Sequence, residues 1–339
     1  MQNRPIKTIF VCEFITGGGF NHLLLDSTLV NEGRLMRDAL LNDLSALPYN
    51  VVTTLDARLP VPNFQHRYQR IHAEEDAWAI WESIVANVDA VWFVAPETNG
   101  YLHQLTALAI KYQKYILGCG IKSIGLCGSK YDSYQFFKQK GIEVVETIRL
   151  SSWINAQSTH WIVKPDDGAG CDDVFYFKSN AEVHNAILNS PTPSYVIQPY
   201  IHGDAASVSC IMHQGEAYVL SCNKQLLEVE NNRFYYQGFI VNGMAQYWHQ
   251  LANLAKQVAN VLPDLNGYVG LDVIVSHSDD ERVKVTLVEI NPRLTTTYSL
   301  LAEAIGANPA GLIIDVLTQE NYQLPIIQRN QVNMQVKHA

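Results

Sequence analysis

The chain has 339 residues, 47% of them hydrophobic and 17% charged, with a formal net charge of −9. That length can bury a large core in two or three domains. The acidic balance, without a run of Lys or Arg, argues against general nucleic-acid or anionic-membrane binding, and no apolar stretch reaches the roughly 18 residues of a membrane span.

Met1 to Thr8, with Arg4 and Lys7, does not read as a signal peptide. Ile6 to Phe14 reads as a strand, and Gly17, Gly18 and Gly19 follow it. Three glycines allow a sharp turn, a close approach to a ligand, or simply a loop. Leu29 to Leu44 has helical periodicity, with Glu32-Gly33 near its start. Val51 to Leu55 is a strand and Asp56 to Asn63, with two prolines, a loop. Ala77 to Val85 is a helix, Asp89 to Val94 a strand and Tyr101 to Tyr112 a helix. Strand and helix alternate, which predicts an α/β layer with a parallel sheet over the first 120 or so residues. Ligands meet such sheets at the carboxyl ends of strands, where Glu13 and Glu97 sit. Glu97 also reads as an acid that stabilises a helix entry.

Gly118 to Gly128 is a composition break and a candidate boundary. Ser129 can cap a helix running to Gln139, and Lys130 stands in its first turn. A cation there opposes the helix dipole, which an anion would compensate. Ile142 to Thr147 reads as a strand and Ser151 to Ala156 as a short helix. In Trp161 to Pro165, Lys164 interrupts an apolar strand. Asp166 to Cys171, with Gly168 and Gly170, then forms a turn whose amides can close over phosphates; a plain hairpin loop is the alternative. Tyr195 to Asp204 is extended. Strands follow at Ser207 to His213, Glu216 to Cys222, Leu226 to Val229 and Phe234 to Val241, then a helix from Met244 to Leu262.

Gly270 to Val275 and Leu287 to Ile290 read as a hairpin carrying Asp272 and Glu289. Glu289 and Asn291 point to one face, roughly 7 Å apart. Pro292 ends the ladder, and Arg293 leaves the strand end as a fixed positive fork. Carboxylates and an amide oxygen suit Mg²⁺; a guanidinium suits phosphate. Helices start at Ser299 and Pro309, and the tail after Gln319 is peripheral. The six cysteines show no CxxC pairing or metal-like spacing, which predicts reduced thiols and a cytoplasmic protein.

Lys130 opening a helix, Lys164-Pro165 before a Gly loop, an extended hinge at Gln198 to Ile201, Asp272 and Glu289-x-Asn291-Pro-Arg293 together resemble the ATP-grasp superfamily, from about Gly118 to Leu317. The resemblance implies an α/β and α+β protein of ATP-grasp fold: an N-terminal α/β domain at 1–122, a lid subdomain at 123–199, a C-terminal ATP-grasp subdomain at 200–320 and a peripheral tail at 321–339. It implies ATP held by Lys130, Lys164, Gly168, Gly170 and the hinge Gln198, Pro199, Tyr200 and Ile201. Asp204 is the nearest substitute for the family's ribose-binding acid. Asp272, Glu289 and Asn291 would hold two Mg²⁺, with Mn²⁺ as a substitute. Lys224 would bind phosphate, and Arg293 would face the γ-phosphate or an acyl phosphate. The chain departs from the family's pattern at Gln198, where many members have an acid, and at Ala205 and Gly270.

Glu13 with Gly17 to Gly19, Glu32-Gly33 and Ala95-Pro96-Glu97 resemble the tyramine–glutamate ligases of methylofuran biosynthesis and their relatives. That implies an ATP-dependent carboxylate–amine ligase with small-molecule acid and amine substrates, in which Glu97, Glu13 and Gly18 meet the substrate amine. A homodimer is an open option. A small-molecule kinase and a non-catalytic nucleotide-binding module are the competing readings.

Overall fold

A parallel sheet with order β3-β2-β1-β4-β5 forms the N-terminal layer. Its strands are β1 (Thr8–Glu13), β2 (Asn50–Asp56), β3 (Arg67–Ile71), β4 (Ala90–Val94) and β5 (Tyr115–Ile116). Helices α1 (Ser27–Ser45), α2 (Ala77–Ala86) and α3 (Tyr101–Lys111) connect them. This computed structural model describes residues 5–63, 65–153, 158, 160–168, 173–189, 194–277 and 282–335. The strand order reverses between β1 and β4, so the crevice for a ligand lies at their carboxyl ends. Glu13 closes β1, and Glu97 lies just beyond β4. The chain enters α1 through Asp26, whose carboxylate accepts the Thr28 and Leu29 amides. Asp76 does the same for α2. Strand β3 carries no sequence signal, being an edge strand with exposed Arg67, Tyr68 and Gln69 and no apolar alternation.

Helices α4 (Ile121–Cys127) and α5 (Lys130–Gln139) follow, where Gly118 to Gly128 had suggested only a boundary. The next stretch, read as a strand over Ile142 to Thr147, instead makes one parallel bridge, Val144 to Leu287. Its bonds tie it to the far C-terminal hairpin: Val145 N–H donates to Leu287 O at 2.8 Å, and Leu287 N–H to Glu143 O at 2.9 Å. A small antiparallel group comprises β6 (Ile148–Arg149), β7 (Trp161–Pro165), β8 (Phe175–Phe177) and β9 (Tyr195–Pro199), with α6 (Asn180–Asn189). Trp153, Trp161, Val163, Val183 and Ile197 form its separate core. The helix expected over Ser151 to Ala156 is a short 3-10 turn at Leu150–Ser152, and residues 154–156 lie outside the described residues.

The larger antiparallel group runs β14-β13-β10-β11-β12, from β10 (Asp204–His213), β11 (Glu216–Glu230), β12 (Arg233–Val241), β13 (Gly267–His277) and β14 (Val283–Asn291). Among the described residues one ladder pair, Arg233 to Phe175, joins it to the smaller group. Helix α7 (Trp248–Val261) covers one face, and α8 (Leu301–Ile305) and α9 (Pro309–Thr318) pack against the other. Glu216 to Cys222 and Leu226 to Val229 had read as two strands. They are one strand: within the polar Asn223-Lys224-Gln225, Asn223 is buried against Ser207 and Ser209 while Gln225 reaches Asp272. The tail is more than peripheral: β15 (Val332–Gln335) pairs with β12, and the Arg329 guanidinium lies 3.7 Å over the Trp248 ring.

A buried bond fixes the N-terminal layer to the C-terminal one. Tyr298 donates its hydroxyl to Asp43 Oδ2 at 2.7 Å. Burial pushes the Asp43 carboxyl up to about 6. A carboxyl whose folded pKa is raised binds its proton more tightly when folded, so its stabilising term is present below the unfolded value near 3.8 and is lost as pH rises through about 6. The term is on the order of 3 kcal/mol. Asp43→Asn keeps an acceptor for Tyr298 and removes the titration. Urea unfolding from pH 4 to 7 is expected to show a flatter stability profile for this variant than for the wild type.

Candidate active site

Asp272 and Glu289 are direct cross-strand partners, so their side chains share a face. A bulge makes this so. From His277 to Val273 the register is uniform, with Val273 opposite Leu287. It then shifts by one residue, so that Asp272 meets Glu289 instead of Val288. Without the shift Glu289 would point to the opposite face. Asn291 Nδ2 donates to Asp272 Oδ2 at 2.9 Å, and Gln225 Nε2 donates to Asp272 Oδ1 at 2.7 Å. Burial, and next the Glu289 charge, push the Asp272 carboxyl up to about 6. Two carboxylates side by side are a fitting seat for a hard cation. Among the described residues no three His, Cys, Asp or Glu side chains form a metal cage. A cation here would use two carboxylates and the Asn291 amide, leaving places for phosphate oxygens, as suits Mg²⁺.

Both expected phosphate lysines reach Glu289. Lys130 Nζ is 3.3 Å from Oε1, and Lys164 Nζ is 3.9 Å from Oε2. Each lysine is only 7% exposed. Lys130 also donates to Gly168 O at 2.5 Å. The dipole conflict noted for Lys130 is answered by an acid of the neighbouring turn. Asp166 Oδ1 accepts the Tyr131 amide and Oδ2 the Ser129 hydroxyl, both at 2.8 Å. Ser129 in turn caps α5 by accepting the Asp132 amide. Gly170 lies outside the described residues.

Arg293 and Glu97, 196 positions apart, form a pair across the cleft. Arg293 Nε and Nη2 both bond Glu97 Oε2 at 3.0 Å. The side chains are 11% and 8% exposed, and Glu97 Oε1 is buried without a hydrogen-bond partner among the described residues. Burial disfavours the Arg293 charge, but Glu97, with smaller help from Glu289 and Glu32, more than restores it. Glu32 on α1 is therefore a near neighbour of the site that its sequence context marked only by type.

Glu13 and Gly18 fare differently. Glu13 is 2% exposed, and its oxygens accept the Ile15 and Thr16 amides and the Thr16 hydroxyl. Gly33 of α1 seals it, since a Cβ there would lie 2.7 Å from Glu13 Oε2. Gly18 has φ 103°, and the space it leaves is filled by the Ile71 side chain. The geometry assigns both to the interior of the fold, which corrects the expectation that they meet the substrate.

The hinge strand β9 ends at Pro199, paired with Trp161. Gln198 is 3% exposed and donates to Thr147 Oγ1 at 2.9 Å, so its side chain belongs to the core. The Tyr200 amide bonds His160 O at 2.9 Å, and Ile201 is half-buried beside it. Lys224 Nζ pairs with Asp204 Oδ1 at 3.0 Å, both partly exposed, so the expected phosphate base and ribose acid are neighbours. Gln225 and Asp166 join the site as well, through Asp272 and through Ser129 and Tyr131. The only signal for Gln225 was its place in the polar trio beside Lys224.

The chain belongs to the ATP-grasp family: residues 127–297, half of its length, match the ATP-grasp domain, and residues 49–124 match the pre ATP-grasp 3 domain. ATP is thus its nucleotide. It is similar to the tyramine–L-glutamate ligases of Methanocaldococcus fervens, at 28% identity over 87% of this chain and 90% of the relative, and of Methanocaldococcus jannaschii, at 27% identity over 86% and 84%. Fold and relatives together place it among the ATP-dependent carboxylate–amine ligases. In fold it resembles an ATP-grasp superfamily protein from Archaeoglobus fulgidus (TM-score 0.71, 21% identity, 98% of this chain and 100% of the other). It also resembles an L-amino acid ligase from Bacillus licheniformis (TM-score 0.67, 15% identity, 93% and 75%).

Glu289 meets two lysines and one carboxylate, so its charge organises the cleft. Glu289→Gln keeps the shape and removes the charge. ADP release with any competent substrate pair is expected to fall by at least about 100-fold, while circular dichroism stays that of the wild type. Undiminished turnover would remove Glu289 from the site.

Proposed function

We propose that the chain joins an amino-acid carboxylate to a primary amine, with glutamate and tyramine as the first candidates and methylofuran biosynthesis as the setting. The buried, unpartnered Glu97 Oε1 beside the Arg293 guanidinium carries this reading. A carboxylate oxygen held in that state suits a cationic group, and an ammonium supplies one. The relatives' shared name supports the same pair of substrates.

The chemistry follows from the charges. Lys130, Lys164 and Lys224 hold the phosphates of ATP. Mg²⁺ at Asp272, Glu289 and Asn291 would neutralise phosphate oxygens when bound. A substrate carboxylate oxygen attacks the γ-phosphorus and ADP departs, leaving an acyl phosphate whose negative oxygens face Arg293. The amine nitrogen, having shed a proton, attacks the acyl carbon. The C–O bond to phosphate breaks, phosphate leaves, and the nitrogen loses its second proton as the amide forms. The protein's part is positioning and charge stabilisation.

An ADP-release screen of amino acids against amines, with mass spectrometry of the products, tests the proposal. A glutamyl amide with free phosphate supports it; a phosphoester shows a kinase instead. Glu97→Gln retains an acceptor for Arg293 and loses the charge. It is expected to raise KM for the amine about 10- to 150-fold, the worth of one charge-assisted hydrogen bond, with KM for ATP nearly unchanged. An equal effect on both would return Glu97 to the helix-entry role.

A further inference from the structure

The turn Asp166 to Gly168 touches both halves of the cleft. On one side it grips the start of α5: Lys130 N–H donates to Asp166 O at 3.1 Å, and Lys130 Nζ donates to Gly168 O at 2.5 Å. On the other it meets the N-terminal layer, where Thr98 Oγ1 donates to Asp167 O at 2.9 Å and Asn99 N–H approaches Asp167 Oδ2 at 3.4 Å. Thr98 and Asn99 directly follow Glu97. Asn99 and Gly100 both have left-handed backbones, with φ 55° and 67°, so this segment is bent into an uncommon shape where it meets the turn. A chain of short contacts therefore runs from a phosphate lysine, through Gly168 and Asp167, to the residue next to Glu97.

We infer that Thr98 is a positioning residue, acting through Asp167, which sets the Glu97 carboxylate according to whether nucleotide phosphate occupies the Lys130 site. The inference rests on the ligase reading for its chemical consequence, though the coupling itself does not. Phosphate oxygens compete with Gly168 O for the Lys130 ammonium. Once Gly168 O gives up the Lys130 ammonium, the turn's hold on the N-terminal layer falls to the Asp167–Thr98 contact, so the change reaches Thr98. With the contact in place, Glu97 holds the amine at the acyl phosphate. With it lost, water more often attacks the acyl carbon, breaking the same C–O bond and returning free acid and phosphate without an amide.

The tests use the full chain. In the wild type, binding a non-hydrolysable ATP analogue is expected to change hydrogen exchange at residues 97–101, and in Thr98→Val this response should disappear. Thr98→Val is also expected to raise the ratio of ADP released to amide formed from about one to about five, with a similar rise in KM for the amine, as for one neutral hydrogen bond. The affinity for the ATP analogue should shift reciprocally, as linkage between two coupled sites requires. Thr98→Ser, which keeps the hydroxyl, should restore both readouts, and Thr98→Ala serves if the valine variant folds poorly. A wild-type exchange profile blind to the analogue, a Thr98→Val ratio still near one, or failure of serine to rescue would overturn the inference. Should the exchange response appear while no substrate pair yields an amide, the ligase reading fails and the coupling stands.

Discussion

Two carboxylates placed on one face of a hairpin repel each other, and the cleft is built around that repulsion. The register shift beside Val288 brings Asp272 and Glu289 together. Two nearly buried lysines then lean on Glu289, while Gln225 and Asn291 turn their amide hydrogens to Asp272. No member of this group would be buried cheaply alone. Lysines without Glu289 would be two like charges in a dry place, and the acids without the lysines would be the same with opposite sign. The arrangement is a charge balance open to exchange. ATP brings phosphate for the lysines, and a divalent cation matches the acids, so binding swaps partners instead of stripping them.

The second constraint is the position of the N-terminal layer. Among the contacts that hold it are Arg293 with Glu97 and Tyr298 with Asp43, and both come from the stretch just after β14. The strand that supplies the metal-type ligands therefore also anchors the layer that would present the substrate. Glu97 is held by Arg293 and Thr98 by the turn beside Lys130, so this layer meets the nucleotide side at two adjacent residues.

Polar residues that interrupt apolar strands were the legible part of the site. Lys164, Asp272 and Glu289 each break a strand that would otherwise read as pure core, and each lies in the cleft. The alternation of strand and helix was equally plain, because buried parallel strands are apolar throughout. The polar trio Asn223-Lys224-Gln225 misled in the opposite sense. It reads as a gap between two strands because three polar residues in a row carry no apolar signature. Three features left no local trace. The bulge at Val288 depends on the register of two strands. The pairing of Arg293 with Glu97 depends on how two layers dock. The glycines after Glu13 looked like a ligand cradle because composition cannot tell whether the space beside a glycine will hold a substrate or, as here, Ile71 and Phe14.

Gly270 shows how far the cleft's geometry is set from behind. It stands opposite Asn291, and a Cβ there would lie 2.7 Å from the Thr295 methyl. Thr295 cannot give way easily, because its hydroxyl joins a buried cluster with Thr297 at 2.8 Å and with Tyr268 at 2.9 Å. Tyr268 also donates to Ser209 on the adjacent strand at 2.9 Å. A larger side chain at position 270 would break this cluster. Its loss would free the segment that carries Arg293, two residues before Thr295. The cluster thus holds the backbone that carries the Arg293 guanidinium. Rigid placement is what a charge facing a developing phosphate requires, since a donor that must move into place spends part of its stabilisation on reorganisation.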